Sequence, residues 1–560
     1  MRLVMRGARS WSAALAVLLA WGVAACVGSI ADPAAEGGGG GGGAGRTPTD
    51  RLPAFEPAPA SLHRLTYGEY RATLRDLLPP GTVIPTDLEV DTSLHGFSTV
   101  GASELTVSPR AAEQYEEAAI QVAAQTLLDP SRRASFVGCE ITAVGDACTR
   151  LWIADFGRRA WRRLLTDGEI AALSGLAETT GTELGDRWVG AGFAMTAILQ
   201  SPHFLFRVEI GEPDPDDAPR RRYTSWEMAS RLGYFVWGSG PDDALLEAAA
   251  RGDLVTDEGI RAAVDRMLGD VRAREGLTRF FSEFMSLERL ADVSKDLELF
   301  PMYTPELQAA MAREIELLFG DIVFDRDADF REILSTDTTF VNTVLAAHYG
   351  LPDPGSAELV RTTFPAGTAR GGIMGRAGVL SLWSHATVNS PTLRGKFIRA
   401  NLLCEDVPPP PPGVVASLDE ETVAAAGTLR EKLDRHRSDP ACAGCHDRMD
   451  PLGFALEDYD PVGQHRTTDN GLPVDATATV DGVPVDGAAE LGAALAESPK
   501  VAECVARRLY RFATGHLEIE TEERQIRALG ESFAAGGHSF RGLILDVALS
   551  DGFRTAGEGE

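Results

Sequence analysis

Beyond its first 26 residues the sequence lacks an apolar run long enough to cross a bilayer. The best stretch, "WVGAGFAMTAIL" from Trp188 to Leu199, is too short and is flanked by Asp186, Arg187 and Pro202. A membrane-spanning body is therefore not expected. Positive charge is scarce as well: 53 Lys and Arg stand against 82 Asp and Glu, a formal net charge of -29. Loss of Arg2, Arg6 and Arg9 with a leader would remove three more positive charges and leave -32. Such a surface repels phosphate backbones and anionic headgroups, which excludes nucleic acid as a partner and electrostatic docking on lipid. The basic, aromatic "FGRRAWRRLL" (Phe156 to Leu165) does not change this, because it reads as a helix with Phe156, Ala160, Trp161 and Leu164 turned inward. Methionine is absent after Met449, and no second C-x-x-C accompanies the one at Cys442 and Cys445. Both absences bear on the chemistry below.

What is present starts at the N-terminus. "MRLVMRGARS" supplies the positive charges and "WSAALAVLLAWGVAAC" the short apolar core of an export signal. Ala24 and Ala25 ahead of Cys26 resemble a bacterial lipobox, with cleavage before Cys26 and acylation of its thiol; a plain signal peptide with a cysteine nearby is the alternative. The following segment, rich in Gly, Ala and Pro, cannot bury enough surface to fold and reads as a tether. The expectation is a soluble body on a lipid anchor in the cell envelope, facing the periplasm or the cell surface. Val27 after the anchored cysteine leans toward the outer membrane.

Seven cysteines are informative because there are so few. With Cys26 assigned to the anchor and Cys442 and Cys445 to their motif, four remain, an even number that suits an oxidising compartment. Cys139 and Cys148 would close a short loop worth roughly 2.5 to 3 kcal/mol in the chain-entropy model. Cys404 and Cys504 then pair by elimination.

The body reads as mainly α. Thr66 with Glu69, Thr166 with Glu169 and Thr224 with Glu227 each match the capping-box spacing and predict a long helix. "TPEL" at Thr304 adds a cap followed by Pro. From Gly259 to Leu290 apolar residues recur at three- and four-residue steps. "LGYFVWG" (Leu232 to Gly238) reads as core, and the acidic "EPDPDDA" (Glu212 to Ala218) as a solvated linker without the pattern of a calcium loop. Gly471 to Gly487 alternates β-branched and polar residues between Gly and Pro, which predicts a small β-hairpin, and "VPPPPPG" from Val407 predicts an extended strap.

The chemistry gathers at "DPACAGCHDRMDPLGF". C-x-x-C-H at Cys442, Cys445 and His446 is the attachment pattern of c-type haem: one helical turn sets both sulfurs on one porphyrin edge and the imidazole over the iron. Two other uses stay open. A redox disulfide belongs beside a βαβ pattern, which is lacking here, and a zinc clip would need Cys404 and Cys504 to complete four sulfurs. If haem binds, the missing downstream Met leaves the sixth iron position to His385, His436, His465, His516, His538 or Met374, or empty. Met449 lies too near His446 to reach the opposite face.

"NSPTLRGKFIRANLLCEDVPPPPPGV" with "LREKLDRHRSDPACAGCHDRMDPLGFALEDYDPVGQHRT" resembles the planctomycete cytochrome c-like domain of large secreted proteins of planctomycetes and myxobacteria. "HRLTYGEYRATLRDLL", "FGRRAWRRLLTDGEIAAL", "YTSWEMASRLGYFVWGSGPDDALLEAA" and "CVARRLYRFATGHLE" resemble the flanking planctomycete-specific domains in the same order. The resemblance implies Cys442, Cys445 and His446 as the haem-binding set and "MDPLGFALEDYDPVG" as a structural continuation. His516 stands where the family has Arg. No catalytic residue is implied.

The expected layout is a leader over 1–25, a tether over 26–60, helical domains over 61–130, 131–212 and 220–352, the cytochrome c-like domain over 365–468 and a last helical domain over 485–556. Three functions follow. One is a lipid-anchored redox protein holding one c-type haem and meeting a redox partner protein. Another is a binding or assembly lipoprotein in which Cys442 and Cys445 form a disulfide or metal clip. A haem enzyme with an open iron site is the third.

Overall fold

The helices begin where hydroxyl and carboxylate side chains can satisfy their first amides. Thr66, Thr166 and Thr224 each accept from the N–H three residues on, and Glu69, Glu169 and Glu227 accept in return from the cap's own N–H. Each pair satisfies two of the four amides a helix start leaves without partners. Thr428 and Glu431 make a further box. Thr304 caps the helix Pro305–Gly320, with Pro305 in its first turn. These observations come from a computed structural model that describes residues 51–215, 217, 219–407, 427–438 and 440–558, the side chains of Pro440 and Ala441 excepted. Cys26, the leader, most of the tether and the polyproline stretch from Pro408 lie outside the described residues.

Helices make up 59% of the structure and the sheets have only two or three strands, so the protein is mainly α. Two apolar clusters hold it together. One joins Leu65, Tyr70 and Tyr115 to the helices Ala147–Trp161 and Arg187–Gln200. The larger runs from Phe97 through the helices after Tyr223 to Ala556, so the C-terminal segments share one core. The described residues from Arg51 onward form a single compact unit. Strand Ser61–Arg64 pairs antiparallel with Phe206–Glu209, and Thr555–Ala556 pairs with Arg221–Arg222. Among the described residues no helix is long and apolar enough to cross a membrane.

The periodic stretch from Gly259 is helical, in two pieces, Asp257–Leu268 and Val271–Met285, with Asp270 capping the second. Three local expectations are corrected. The helix after Thr224 is short, Ser225–Leu232, and passes into a π-turn over Gly233–Trp237. Leu164 is 60% exposed, whereas Phe156, Ala160 and Trp161 are buried. Its helix ends at Trp161, where Arg162 turns left-handed and its guanidinium bonds the carbonyls of Ala160, His203, Phe204 and Phe206. In the acidic stretch, Glu212–Pro213 is a strand paired with Arg221–Arg222, and buried Asp214 is held by Arg222 at 2.8 Å.

Two tight hairpins occupy the region read as β. Thr477–Val480 pairs with Val483–Asp486, and Thr468–Asp469 with Leu472–Pro473. Asp481 and Gly482 in one turn, and Asn470 and Gly471 in the other, all have positive φ, as the twist of a two-residue hairpin requires.

Candidate functional site

Cys442, Cys445 and His446 lie on the helix Pro440–Phe454. At 3.6 residues per turn, positions 442, 445 and 446 share one face. Both cysteines are half-buried free thiols. The helix Leu429–Arg437 packs against this one, and the ring of His436 stands on that of His446 with centroids 4.9 Å apart and planes at 76°. Arg437 lies 3.7 Å from Asp447, and Arg430 stacks 4.2 Å over Phe454.

The helix Pro391–Phe397 also crosses the motif helix. Their backbones touch: a Cβ on Gly395 would sit 1.8 Å from the Met449 carbonyl oxygen, and one on Gly453 would sit 1.8 Å from that of Pro391. Only glycine permits so close a crossing. Buried Arg394 then pins the turn that follows, donating to the carbonyls of Leu456, Tyr459 and Asp460 at 2.6, 3.2 and 3.0 Å. Burial takes this guanidinium down to about 10. Asp460 caps its own loop by accepting from the N–H groups of Val462 and Gln464. The stretch "MDPLGFALEDYDPVG" is thus framework for the motif helix.

Within that frame His446 is oriented. Its Nδ1 lies 2.9 Å from Oδ2 of Asp450, one turn along the same helix. Asp450 is fully buried, and its Oδ1 accepts from the Thr392 hydroxyl at 2.7 Å. A carboxylate can only accept here, so Nδ1 is the donor, and in the neutral ring the lone pair lies on Nε2, where a metal would bind. This is the outer-shell arrangement that metal-bound histidines commonly have.

The donor set therefore fits a c-type haem: two free thiols one turn apart and an imidazole with Nε2 presented. The zinc arrangement with four sulfurs does not survive, because Cys404 and Cys504 are joined in a disulfide with S–S 2.08 Å. Cys139 and Cys148 are likewise joined, with S–S 2.05 Å. Among the described residues no cluster of three or more His, Cys, Asp and Glu is arranged to hold a metal ion by itself.

Of the residues considered for a second iron ligand, the structure brings His436 to His446. His516 is engaged instead with buried Glu522 at 2.9 Å, which also accepts from Tyr510 at 2.6 Å. His465 faces Asp458 at 4.0 Å, His538 faces Asp329 at 3.9 Å, and Met374 is sealed in the larger core. His385 lies in the loop where Lys295 bonds its carbonyl. Met449 is buried on the motif helix itself. Sequence reasoning missed Asp450 and Thr392. The four-residue step from His446 to Asp450 could have revealed the first; Thr392, 58 positions away, had no local signal.

Five family models match the chain in succession, all described as protein of unknown function: DUF1587 over residues 63–127, DUF1595 over 148–209, DUF1592 over 223–351, DUF1588 over 370–469 and DUF1585 over 481–553. The model that spans the motif helix bears the cytochrome-like label PSCyt3. No curated protein and no solved structure matches the chain.

Proposed function

We propose that this chain, whose successive segments match five family models of unknown function, is an exported, lipid-anchored redox protein binding one c-type haem through Cys442, Cys445 and His446. The observation that carries the reading is the imidazole of His446, engaged through Nδ1 by buried Asp450, on the same helical face as two free thiols. Cys442 and Cys445 would hold the haem through thioethers, each S–H adding across a vinyl group with no net change of electrons, and His446 would bind the iron. Bound haem supplies one-electron chemistry. The chain's own residues hold the imidazole tautomer, and the crossing at Gly395 and Gly453 keeps the motif helix in place.

Cys26 would anchor the protein in the envelope, with the outer membrane favoured, and the acidic body would meet a redox partner protein instead of nucleic acid. The experiment is a visible spectrum of the full chain, exported in a host with cytochrome maturation machinery, followed by acid-acetone extraction. Sharp reduced bands that survive extraction are expected. Colourless protein from that host would overturn the haem reading and favour a binding lipoprotein in which Cys442 and Cys445 make a disulfide or metal clip.

A further inference from the structure

We propose that Asp450 tunes the iron that His446 would bind, biasing it toward the ferric state, and that Thr392 moderates this bias. The inference rests on the haem reading above. A carboxylate is a stronger acceptor than a neutral carbonyl and draws the Nδ1 proton away from the ring. Electron density then rises at Nε2, and a more basic ligand favours the higher charge on the metal. Burial strengthens the effect, since Asp450 has no exposed surface and low local dielectric magnifies a charge-assisted bond. The Thr392 hydroxyl, 2.7 Å from the other carboxylate oxygen, withdraws part of that charge. Asp450 and Thr392 are thus positioning residues acting through His446, and they act with opposite signs.

The test measures midpoint potentials by spectroelectrochemistry on the haem-loaded full chain and on its Asp450→Asn and Thr392→Val variants. Asp450→Asn keeps an acceptor but removes the charge. It should raise the potential by at least 59 mV, a tenfold fall in the ferric to ferrous ratio at fixed poise. Thr392→Val leaves the His446–Asp450 bond in place and should lower the potential. Haem-loaded variants whose potentials coincide with the parent's would overturn the inference while leaving the haem reading standing. A colourless parent chain would overturn both. Should Asp450→Asn fail to fold, the sign for Thr392→Val decides, and an unchanged or raised potential rejects the role of Asp450.

Discussion

Cys442, Cys445 and His446 sit on one helical face, so the proposed haem attachment can be tested by single substitutions there. Cys442→Ala should abolish extraction-resistant haem while leaving far-UV helical content unchanged; covalent haem retained in that variant would reject the assignment. A second titratable group acts far from this site. Glu283 accepts from the backbone N–H and the hydroxyl of Ser98, standing in for the cap that Phe97 cannot supply to the helix Ser98–Glu104. Burial raises its carboxyl to about 7, and the bonds from Ser98 offset only part of that. A raised folded-state value favours the protonated form. The stability from this group is therefore complete below the ordinary carboxyl range near 4.5 and is lost as pH rises through about 7. Glu283→Gln should flatten the dependence of unfolding free energy between pH 5 and 8 by on the order of 2 kcal/mol. Urea denaturation at the two pH values checks this, and parallel slopes for parent and variant would contradict it.

Among elements, the crossing of Pro391–Phe397 with Pro440–Phe454 is tightly constrained, because two glycines bring backbone against backbone. Gly453→Ala would force a methyl into the Pro391 carbonyl and should cost about 3 kcal/mol, the upper range for overpacking. Gly444, on the same helix with nothing within 4 Å of its added Cβ, gives the contrast. Gly444→Ala in the haem-free chain should be neutral or stabilise by up to about 1 kcal/mol through helix propensity. Denaturant midpoints of the two variants settle both values. The capping boxes at Thr66, Thr166 and Thr224 were legible in sequence because all their atoms lie within four residues. The close crossing was not legible, since its contacts join Gly395 to Met449 and Pro391 to Gly453, residues far apart in the chain.

Over the whole molecule, the segments matched by separate family models from 223 onward share one apolar core. The Cys404–Cys504 disulfide joins two of these segments across a separation of 100 residues, while Cys139–Cys148 closes only 9. In the chain-entropy model the long loop contributes about 4.7 kcal/mol and the short one about 2.7. The Cys404→Ala, Cys504→Ala double variant should therefore lose about 2 kcal/mol more than the Cys139→Ala, Cys148→Ala double variant. Chemical denaturation under non-reducing conditions reads the difference, and equal losses would mean that the unfolded chain does not gain the expected freedom.

The sequence by itself determined the mainly helical class, the capping-box helix starts, the β region near Gly471–Gly487 and the C-x-x-C-H spacing at Cys442, Cys445 and His446. Those depend on hydrogen bonds and periodicities confined to a few neighbouring positions. Tertiary structure alone decided that Leu164 faces solvent, that the acidic stretch after Gly211 closes a strand pair around Asp214, and that the thiols of Cys404 and Cys504 are consumed by each other. It also placed the Thr392 hydroxyl on the carboxylate behind His446. Each of these turns on groups that are distant along the chain, or on where a helix stops against its neighbours, and local pattern carries no information about either.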